Sequence, residues 1–427
     1  MSRIATLSKW RCSAVRWVAL LMLVAFACAE ERFPPPDFSP GYTIPSTTVP
    51  GPRAEWLAVL DVVLLALALG LAGWATLVKR SRTAAVWIAV GSLLWFGFMR
   101  QGCVCSIGSI QDVTRAAAQG GGLSWVAAAF FFLPLATALI AGRLFCSGVC
   151  PLGAIQDLVL VQPLRLPSWL SGFLSLFPYV YLALAVVWAA TGAAYVICAY
   201  DPFVGFFRFG GPAWLLIAGG GLLLLGTVVG RPYCRFLCPY SVLLRWLSPL
   251  SRWRIRIHPS ACTNCRLCEN SCPFDAIAMP VQTAAPRPSR VLLAVLVLAA
   301  PLLVALGGWL GWRSGDTLAG RHATVALAER IRAEDAGTAM SANDAAESFR
   351  RTGKPTEALF AAAADVRQQT NMYAAAAGAF LGLVVAVGLI RRSRRQHQTT
   401  YEAEPGTCLS CARCLPDCPG GLPAVTT

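Results

Sequence analysis

Charged residues are scarce in this sequence. Only 13% of the 427 residues are charged and 56% are hydrophobic, with a mean hydropathy of +0.58. Since a soluble protein carries roughly 25% charged residues, this composition excludes a soluble globular enzyme, a disordered chain and a nucleic-acid binder. The net charge of +15 indicates membrane topology instead, because basic residues collect in the cytoplasmic loops of membrane proteins.

Histidine is also scarce, and its placement restricts the redox chemistry. The three histidines, His258, His322 and His397, lie outside the apolar stretches. No histidine pair is therefore placed to ligate haem in a membrane, and no Cys-x-x-Cys-His sequence is present for a c-type haem. We expect no haem, so any redox function depends on the 17 cysteines.

Seven apolar stretches approach the 20 or so residues that cross a bilayer. They lie at about residues 56–78, 83–99, 123–141, 176–198, 213–229, 290–311 and 372–390. Basic residues mark every second loop, from Lys79 to the run that starts at Arg391. Together with an N-terminal anchor, this alternation predicts eight passes through a bacterial inner membrane, with both termini in the cytoplasm.

Two cysteine runs share one spacing. They are Cys262-Thr-Asn-Cys265-Arg-Leu-Cys268-Glu-Asn-Ser-Cys272-Pro273 and Cys408-Leu-Ser-Cys411-Ala-Arg-Cys414-Leu-Pro-Asp-Cys418-Pro419. Bacterial ferredoxins hold 4Fe–4S clusters with this spacing. Zinc prefers two paired Cys-x-x-Cys knuckles, and disulfides are rare on the predicted cytoplasmic side. The sequence therefore predicts two 4Fe–4S clusters.

The fourth cysteine of each run is expected to serve the other run, as in two-cluster ferredoxins. Cys418 would complete the site of Cys262, Cys265 and Cys268. Cys272 would complete the site of Cys408, Cys411 and Cys414. The predicted fold class is thus an all-α polytopic membrane helical bundle with a small α+β dicluster ferredoxin-like domain, split by a membrane hairpin.

Two further cysteine pairs stand at the ends of apolar stretches, each followed by proline. They are Cys146-Ser-Gly-Val-Cys150-Pro151 and Cys234-Arg-Phe-Leu-Cys238-Pro239. A proline suits the first position of a helix, which would place a thiol at a helix N-terminus. Four thiols match the needs of an additional iron–sulfur cluster in the membrane domain. A redox-active dithiol pair and a set of merely buried small residues stay open as alternatives.

A weaker repeat lies nearer the N-terminus. Cys105-Ser-Ile-Gly-Ser-Ile-Gln-Asp112 aligns without gaps to Cys150-Pro-Leu-Gly-Ala-Ile-Gln-Asp157, with five of eight positions identical. The loop charges place the two copies on opposite faces, which is typical of an inverted-topology repeat. Cys103, Cys105 and Cys198 would then face the periplasm. They would bind a metal or a cluster, become oxidised, or serve as passive small residues.

The combined motifs resemble the NapH/NosR-type membrane iron–sulfur proteins over about residues 56–280 and the C-terminal run. The resemblance implies an electron carrier, rather than a stand-alone oxidoreductase, that relays electrons between cytoplasmic 4Fe–4S clusters and a periplasmic reductase or redox protein. Quinol or a cytoplasmic reductant would supply the electrons. The alternative is an assembly factor that reduces thiols or copper for a periplasmic or membrane metalloenzyme. The periplasmic FMN-binding domain of NosR-type members has no counterpart in the sequence, so no covalent FMN is expected.

The motifs and apolar stretches predict the domain organisation. Its segments are a signal peptide or N-terminal anchor (1–29), a periplasmic Pro-rich linker (30–55), a membrane domain with both Cys-x₃-Cys-Pro motifs (56–250), a first ferredoxin-type segment (251–285), a transmembrane helix (286–312), a periplasmic helical loop (313–371), a second transmembrane helix (372–390) and a C-terminal ferredoxin-type segment (391–427).

Overall fold

A computed structural model describes residues 54–102, 105–257, 262–280, 290–337, 344–393, 401–418 and 425–426. These residues are mostly helical, with two short two-stranded sheets. Within them, five helices are long and apolar enough to cross a membrane. They are Glu55–Val78, Arg82–Met99, Ser168–Thr191, Val291–Ala319 and Thr356–Ser393. The chain is therefore a helical membrane protein. The predicted N-terminal anchor lies outside the described residues.

The membrane domain begins with six helices. They are α1 (Glu55–Gly73, continuing as a π-helical turn, Trp74–Val78), α2 (Arg82–Ser92, continuing as a π-helical segment, Leu93–Met99), α3 (Ser109–Gln119), α4 (Trp125–Ala141), α5 (Leu144–Gly148) and α6 (Pro151–Val159). Ser81 caps α2, because its hydroxyl accepts a hydrogen bond from the Ala84 N–H. Asp61 of α1 is buried and forms an ion pair with Arg100, as charged groups at membrane depth require.

Seven shorter or medium helices complete the membrane domain. They are α7 (Ser168–Leu174), α8 (Phe177–Thr191), α9 (Val196–Tyr200), α10 (Val204–Arg208), α11 (Ala213–Gly226), α12 (Pro232–Phe236) and α13 (Tyr240–Leu247). The order of a long apolar helix, a five-residue helix with a cysteine and a further helix occurs twice, as α4–α5–α6 and as α11–α12–α13. Cys146, Cys150, Cys234 and Cys238 are buried in the main hydrophobic core.

Two predicted passes differ from the helices that form. The pass predicted at 176–198 lies at Ser168–Thr191, because Gly192 adopts a left-handed conformation, with φ of +73°, and ends α8. Cys198 consequently belongs to the separate short helix α9. The pass predicted at 213–229 is the 14-residue α11, which is about 21 Å long at 1.5 Å per residue, short of a hydrocarbon core of about 30 Å.

The two cysteine runs are joined by short strands. The elements are β1 (Arg254–Ile255), α14 (Leu267–Ser271), β2 (Ile277–Ala278), β3 (Glu402–Ala403) and β4 (Val425–Thr426). β1 pairs antiparallel with β4, and β2 pairs antiparallel with β3. Each sheet thus combines a strand that flanks the first run with a strand that flanks the second, although more than 120 residues separate them.

A helical hairpin lies between the two runs in sequence. It consists of α15 (Arg290–Ala319), α16 (Ala323–Asp335), α17 (Asp344–Arg351) and α18 (Thr356–Ser393). Gly307 and Gly378 face each other in α15 and α18, where a Cβ on either would overlap the other's carbonyl oxygen. Small residues allow such close packing of membrane helices. Outside the apolar stretches, Val325, Ile331 and Leu359 form a separate small core.

Candidate metal centres

Both cysteine runs have an unusual backbone at matching positions. The residues that flank the second cysteine of each run have positive φ: Asn264 (+55°), Arg266 (+64°), Ser410 (+52°) and Ala412 (+58°). Non-glycine residues rarely adopt this conformation. Left-handed residues in a tight turn direct successive N–H groups into a concavity that suits anions, as at many iron–sulfur sites. The backbone of each run therefore fits an anionic cluster.

The fourth cysteine of the second run lies beside the first run. Cys262, Cys265, Cys268 and Cys418 line one small cavity, which Cys414 also borders. Burial raises the pKa of Cys268 to about 11, and charges at Cys262, Cys265 and Cys418 add to the increase.

Cys272, the fourth cysteine of the first run, lies beside the second run. Burial raises the pKa of Cys408 to about 12, with further increases from Cys411 and Cys272. The pKa of Cys414 is raised by burial and then by Cys411, Cys408 and Cys272, with Cys268 the weakest contributor. Cys272 therefore lies among the thiols of the second run.

Four thiols at helix ends are buried close together. These helix-end thiols are Cys146, Cys150, Cys234 and Cys238. Burial raises the pKa of Cys238 well above its usual value, and charges at Cys234, Cys150 and Cys146 raise it further. The two motifs also share their local hydrogen bonds. The Cys150 N–H donates to the Phe145 carbonyl and the Cys238 N–H to the Tyr233 carbonyl, both at 2.9 Å. Two motifs that are 88 positions apart in the sequence thus converge with the same backbone geometry.

The spacing of these thiols bears on which metal they fit. Within the described ranges, no three His, Cys, Asp or Glu side chains are close enough together to hold a single metal ion. In a cubane cluster each thiolate binds a different iron, so its ligands stand further apart than those around one ion.

A buried carboxylate joins the helix-end thiols to the second cysteine run. Asp157 accepts hydrogen bonds from Arg231 Nε at 2.9 Å and from Arg231 Nη2 at 2.7 Å. It also pairs with Arg82 and, at 3.5 Å, with Arg413. Arg231 is fully buried and donates to the Cys146 carbonyl. Burial opposes ionisation of Asp157, but the arginines outweigh it and hold the pKa of this carboxyl well below its usual range.

Two further contacts hold the cysteine runs against the membrane domain. Arg143 Nη1 donates to the Gly406 carbonyl at 3.0 Å. Gly230 packs so closely against Pro273 that a Cβ would overlap the Pro273 carbonyl oxygen. In the sequence, Arg143 and Arg231 read only as charges of cytoplasmic loops. The repeated Gly-Arg that precedes each Cys-x₃-Cys-Pro motif, Gly142-Arg143 and Gly230-Arg231, is the signal that could have revealed their structural role.

Comparison with known proteins matches these same segments. A model described as a 4Fe-4S binding domain matches residues 123–176 and 211–258, which contain all four helix-end thiols. A second 4Fe-4S binding domain model matches residues 255–278, which contain the first cysteine run.

Three relatives share part of the chain. An uncharacterized protein of Methanocaldococcus jannaschii is 31% identical over 34% of this chain and 56% of its own length. The putative electron transport protein YccM of Escherichia coli is 30% identical over 32% of this chain and 42% of its own. The regulatory protein NosR of Pseudomonas aeruginosa is 28% identical over 33% of this chain and 22% of its own.

The chain is therefore similar to membrane-associated 4Fe–4S proteins of the NapH/NosR type. It spans about half the length of the first two relatives that it matches. No solved structure resembles it significantly.

A further cysteine site lies away from both the ferredoxin runs and the helix-end thiols. Cys105 and Cys198 line a cavity of about 660 Å³. Asp112 and Asp201 also line this cavity. Burial raises the pKa of Cys105 to about 12, and charges at Asp201 and Cys198 raise it further. The structure thus brings together two of the three predicted external thiols, while Cys103 lies outside the described residues. Sequence analysis did not identify Asp201.

Proposed function

We propose that the protein relays electrons across the bacterial inner membrane, between cytoplasmic 4Fe–4S clusters and a periplasmic reductase or redox protein. A cluster of this type stores and releases single electrons. The observation that carries the proposal is that one hydrophobic core holds four cysteines and packs against cysteines of the ferredoxin runs and against Cys105. Both termini would lie in the cytoplasm, as the basic loops predict.

Four cysteine sets would form the series. They are the distal ferredoxin set (Cys262, Cys265, Cys268 and Cys418), the proximal ferredoxin set (Cys272, Cys408, Cys411 and Cys414), the helix-end set (Cys146, Cys150, Cys234 and Cys238) and the outer thiols (Cys105 and Cys198). The first two would hold the ferredoxin-type clusters of one domain that the membrane hairpin splits. The third would hold an additional cluster, and the outer thiols would form the exit.

Packing supports this order of the sets. Cys272, Cys408 and Cys411 pack against the main core of the membrane domain. Cys265 of the distal set is exposed, so a soluble donor has access to it. Cys105 contributes to the raised pKa of Cys150, after the contributions of burial, Cys234 and Cys146. Cys105, one of the outer thiols, is therefore within electrostatic range of the helix-end set.

Charged residues support electron passage between the proximal and helix-end sets. The Arg231 guanidinium lies over the Phe274 ring at 5.4 Å, and the Arg413 guanidinium lies at 6.0 Å from the same ring. Arg413 stands between two cysteines of the proximal set, and Arg231 stands beside the helix-end set. Positive charge between two anionic sites lowers the electrostatic cost of adding an electron to either.

The test is electron transfer across a sealed membrane. The full chain is reconstituted into liposomes that contain trapped cytochrome c, and a membrane-impermeant reductant is added outside. We expect the trapped cytochrome to be reduced by the wild type. Cys238→Ser should abolish this reduction while the electron paramagnetic resonance signals of the cytoplasmic clusters persist. Equal reduction by wild type, Cys238→Ser and protein-free liposomes would refute the proposed function.

A further inference from the structure

The inverted repeat extends from the sequence into the hydrogen bonds of the structure. Gln156 Oε1 accepts from the Tyr233 N–H at 3.0 Å, and Tyr233 directly precedes Cys234. Gln111, its counterpart in the first copy, accepts from the Ile197 N–H at 2.7 Å. Ile197 directly precedes Cys198. Both glutamines are fully buried. In each copy of the repeat, the buried glutamine thus accepts a hydrogen bond from the residue that precedes a cysteine, either Cys234 or Cys198.

This equivalence relates the outer cysteines to the helix-end set. Cys105 corresponds to Cys150 by sequence alignment, and Cys198 corresponds to Cys234 through the glutamine hydrogen bonds. Pro239 follows Cys238, which lies four residues after Cys234, and Pro202 follows Asp201, which lies three residues after Cys198. Asp201 therefore precedes a proline as Cys238 does, but one residue nearer to the cysteine before it.

The position of Asp201 suits a ligand. Its side chain is 4% exposed and lines the same cavity as Cys105 and Cys198. Asp201 Oδ1 accepts from the Phe203 N–H at 2.9 Å, and Oδ2 accepts from the Tyr233 hydroxyl at 2.8 Å. Each carboxylate oxygen has two lone pairs, so both retain one for a further bond.

An unpaired amide provides an independent observation. Gln156 Nε2 donates to Cys234 Sγ at 3.4 Å and to the Leu152 carbonyl at 2.7 Å. Gln111 Nε2, by contrast, has no hydrogen-bond partner within the described part of the chain, although the residue is fully buried. A buried donor without an acceptor is costly. The side chain beside Cys198 therefore has a donor available for a sulfur atom that occupies the outer site.

We propose that Cys105, Cys198 and Asp201 bind a sulfide-bridged iron centre, the pseudo-symmetric counterpart of the helix-end site, to which Gln111 donates a hydrogen bond. The inference rests on the proposed function and defines its exit. Thiolates select iron–sulfur clusters, zinc or Cu(I), whereas carboxylates are hard ligands that do not favour Cu(I), and zinc is not redox-active. The hydrogen bond between Asp201 and Tyr233 links this centre to the residue beside Cys234. One electron arrives from the helix-end site and one leaves to the periplasmic acceptor, without bond cleavage.

The test compares the metal content of full-length variants purified anaerobically. Asp201→Asn and Cys198→Ser should each lose the same iron and sulfide, roughly two or more iron atoms per chain, and the same paramagnetic signal. Asp112→Asn is the matched control, because Asp112 lines the same cavity and should retain wild-type iron. The signals of the cytoplasmic clusters report that each variant is folded. Asp201→Cys should restore the iron, since a cysteine precedes the corresponding proline in the inner copy.

Several outcomes would overturn the inference. Wild-type iron in Cys198→Ser would show that the outer centre does not exist, and wild-type iron and signals in Asp201→Asn would show that Asp201 is not a ligand. Loss of zinc or copper in place of iron would show a different metal. Metal content is measured without electron transfer, so these results are independent of the liposome assay. In that assay, Asp201→Asn should slow reduction of the trapped cytochrome at least about tenfold, with the cytoplasmic clusters still reducible.

Discussion

Asp157 forms a buried ion pair with Arg231 within the membrane domain, and Asp157→Asn measures how much this pair stabilises it. The substitution keeps the size of the side chain but removes its charge. It leaves Arg231, which is fully buried, without a counter-ion. Arg82 and Arg413 are 18% and 23% exposed, so water stabilises them in part, and we count only the Arg231 pair.

The expected magnitude follows from that pair. Removing one partner of a buried ion pair costs about 3–5 kcal/mol, and every 1.4 kcal/mol is tenfold in an equilibrium constant. The asparagine oxygen still accepts one hydrogen bond from Arg231, which places the effect near the lower end. The contact between α6, which carries Asp157, and the start of α12, which follows Arg231, should therefore open roughly 10²-fold more often.

Hydrogen exchange of the full-length protein in detergent measures this opening. Backbone amides of α6 and α12 should lose protection by about that factor in Asp157→Asn, while those of the α15–α18 hairpin should not change. Asp112→Asn is the control, because Asp112 occupies the equivalent position in the other repeat copy without such a buried pair. A loss of protection below about threefold, within the range of an exposed ion pair, would refute the assigned role of Asp157.

Three further predictions concern the same junction and the ferredoxin sites. Cys418→Ser should remove the cluster of the first run and spare that of the second, as measured by iron content and paramagnetic resonance; loss of the second-run cluster alone would contradict cross-ligation. Gly230→Ala should destabilise packing of the first cysteine run against the membrane domain by about 1–3 kcal/mol, because its Cβ would overlap the Pro273 carbonyl oxygen. Gly221→Ala is the control, since the space around its Cβ is open. Equal hydrogen exchange in the two variants would contradict this prediction. The pKa of Asp157 is lowered in the folded protein. Its contribution to stability should therefore be constant from pH 8 to pH 5 and decline only below the ordinary carboxyl pKa of about 4. A decline in the stability of the wild type, relative to Asp157→Asn, between pH 7 and pH 5 would contradict this expectation.

The iron–sulfur character could be predicted from the sequence because the ligand chemistry is local. Cys262 to Cys272 lie within eleven residues, and their spacing alone defines the geometry of a cluster-binding turn. The first membrane helix could be predicted for a similar reason, since a continuous apolar stretch ends at Lys79. The end of α8 could not, because hydropathy averages over Gly192, whose left-handed conformation ends the helix before Cys198.

The arginines show a different limit of sequence analysis. The positive-inside rule counts Arg143 and Arg231 as loop charges, which is correct for topology but does not reveal their burial. Arg231 pairs with Asp157 across 74 positions of sequence, and only the folded chain brings the two together. Asp201 was missed because a lone aspartate before a proline is usually a turn residue. The Gln111 hydrogen bond relates Cys198 to Cys234, and the proline that follows Asp201 then relates this residue to Cys238.

The buried arginines also explain how one fold can hold closely spaced anionic sites. In the proposed relay, every electron that entered the proximal ferredoxin set would add negative charge near the helix-end set, and repulsion between them would oppose transfer. Arg231 lies beside Cys146 and Arg413 lies between two cysteines of the proximal set, so both would compensate that charge, while Asp157 pairs with both and limits their mutual repulsion. Replacing either arginine by a neutral residue should therefore change docking and electron transfer together. Structural stability and the proposed redox function would then depend on the same side chains.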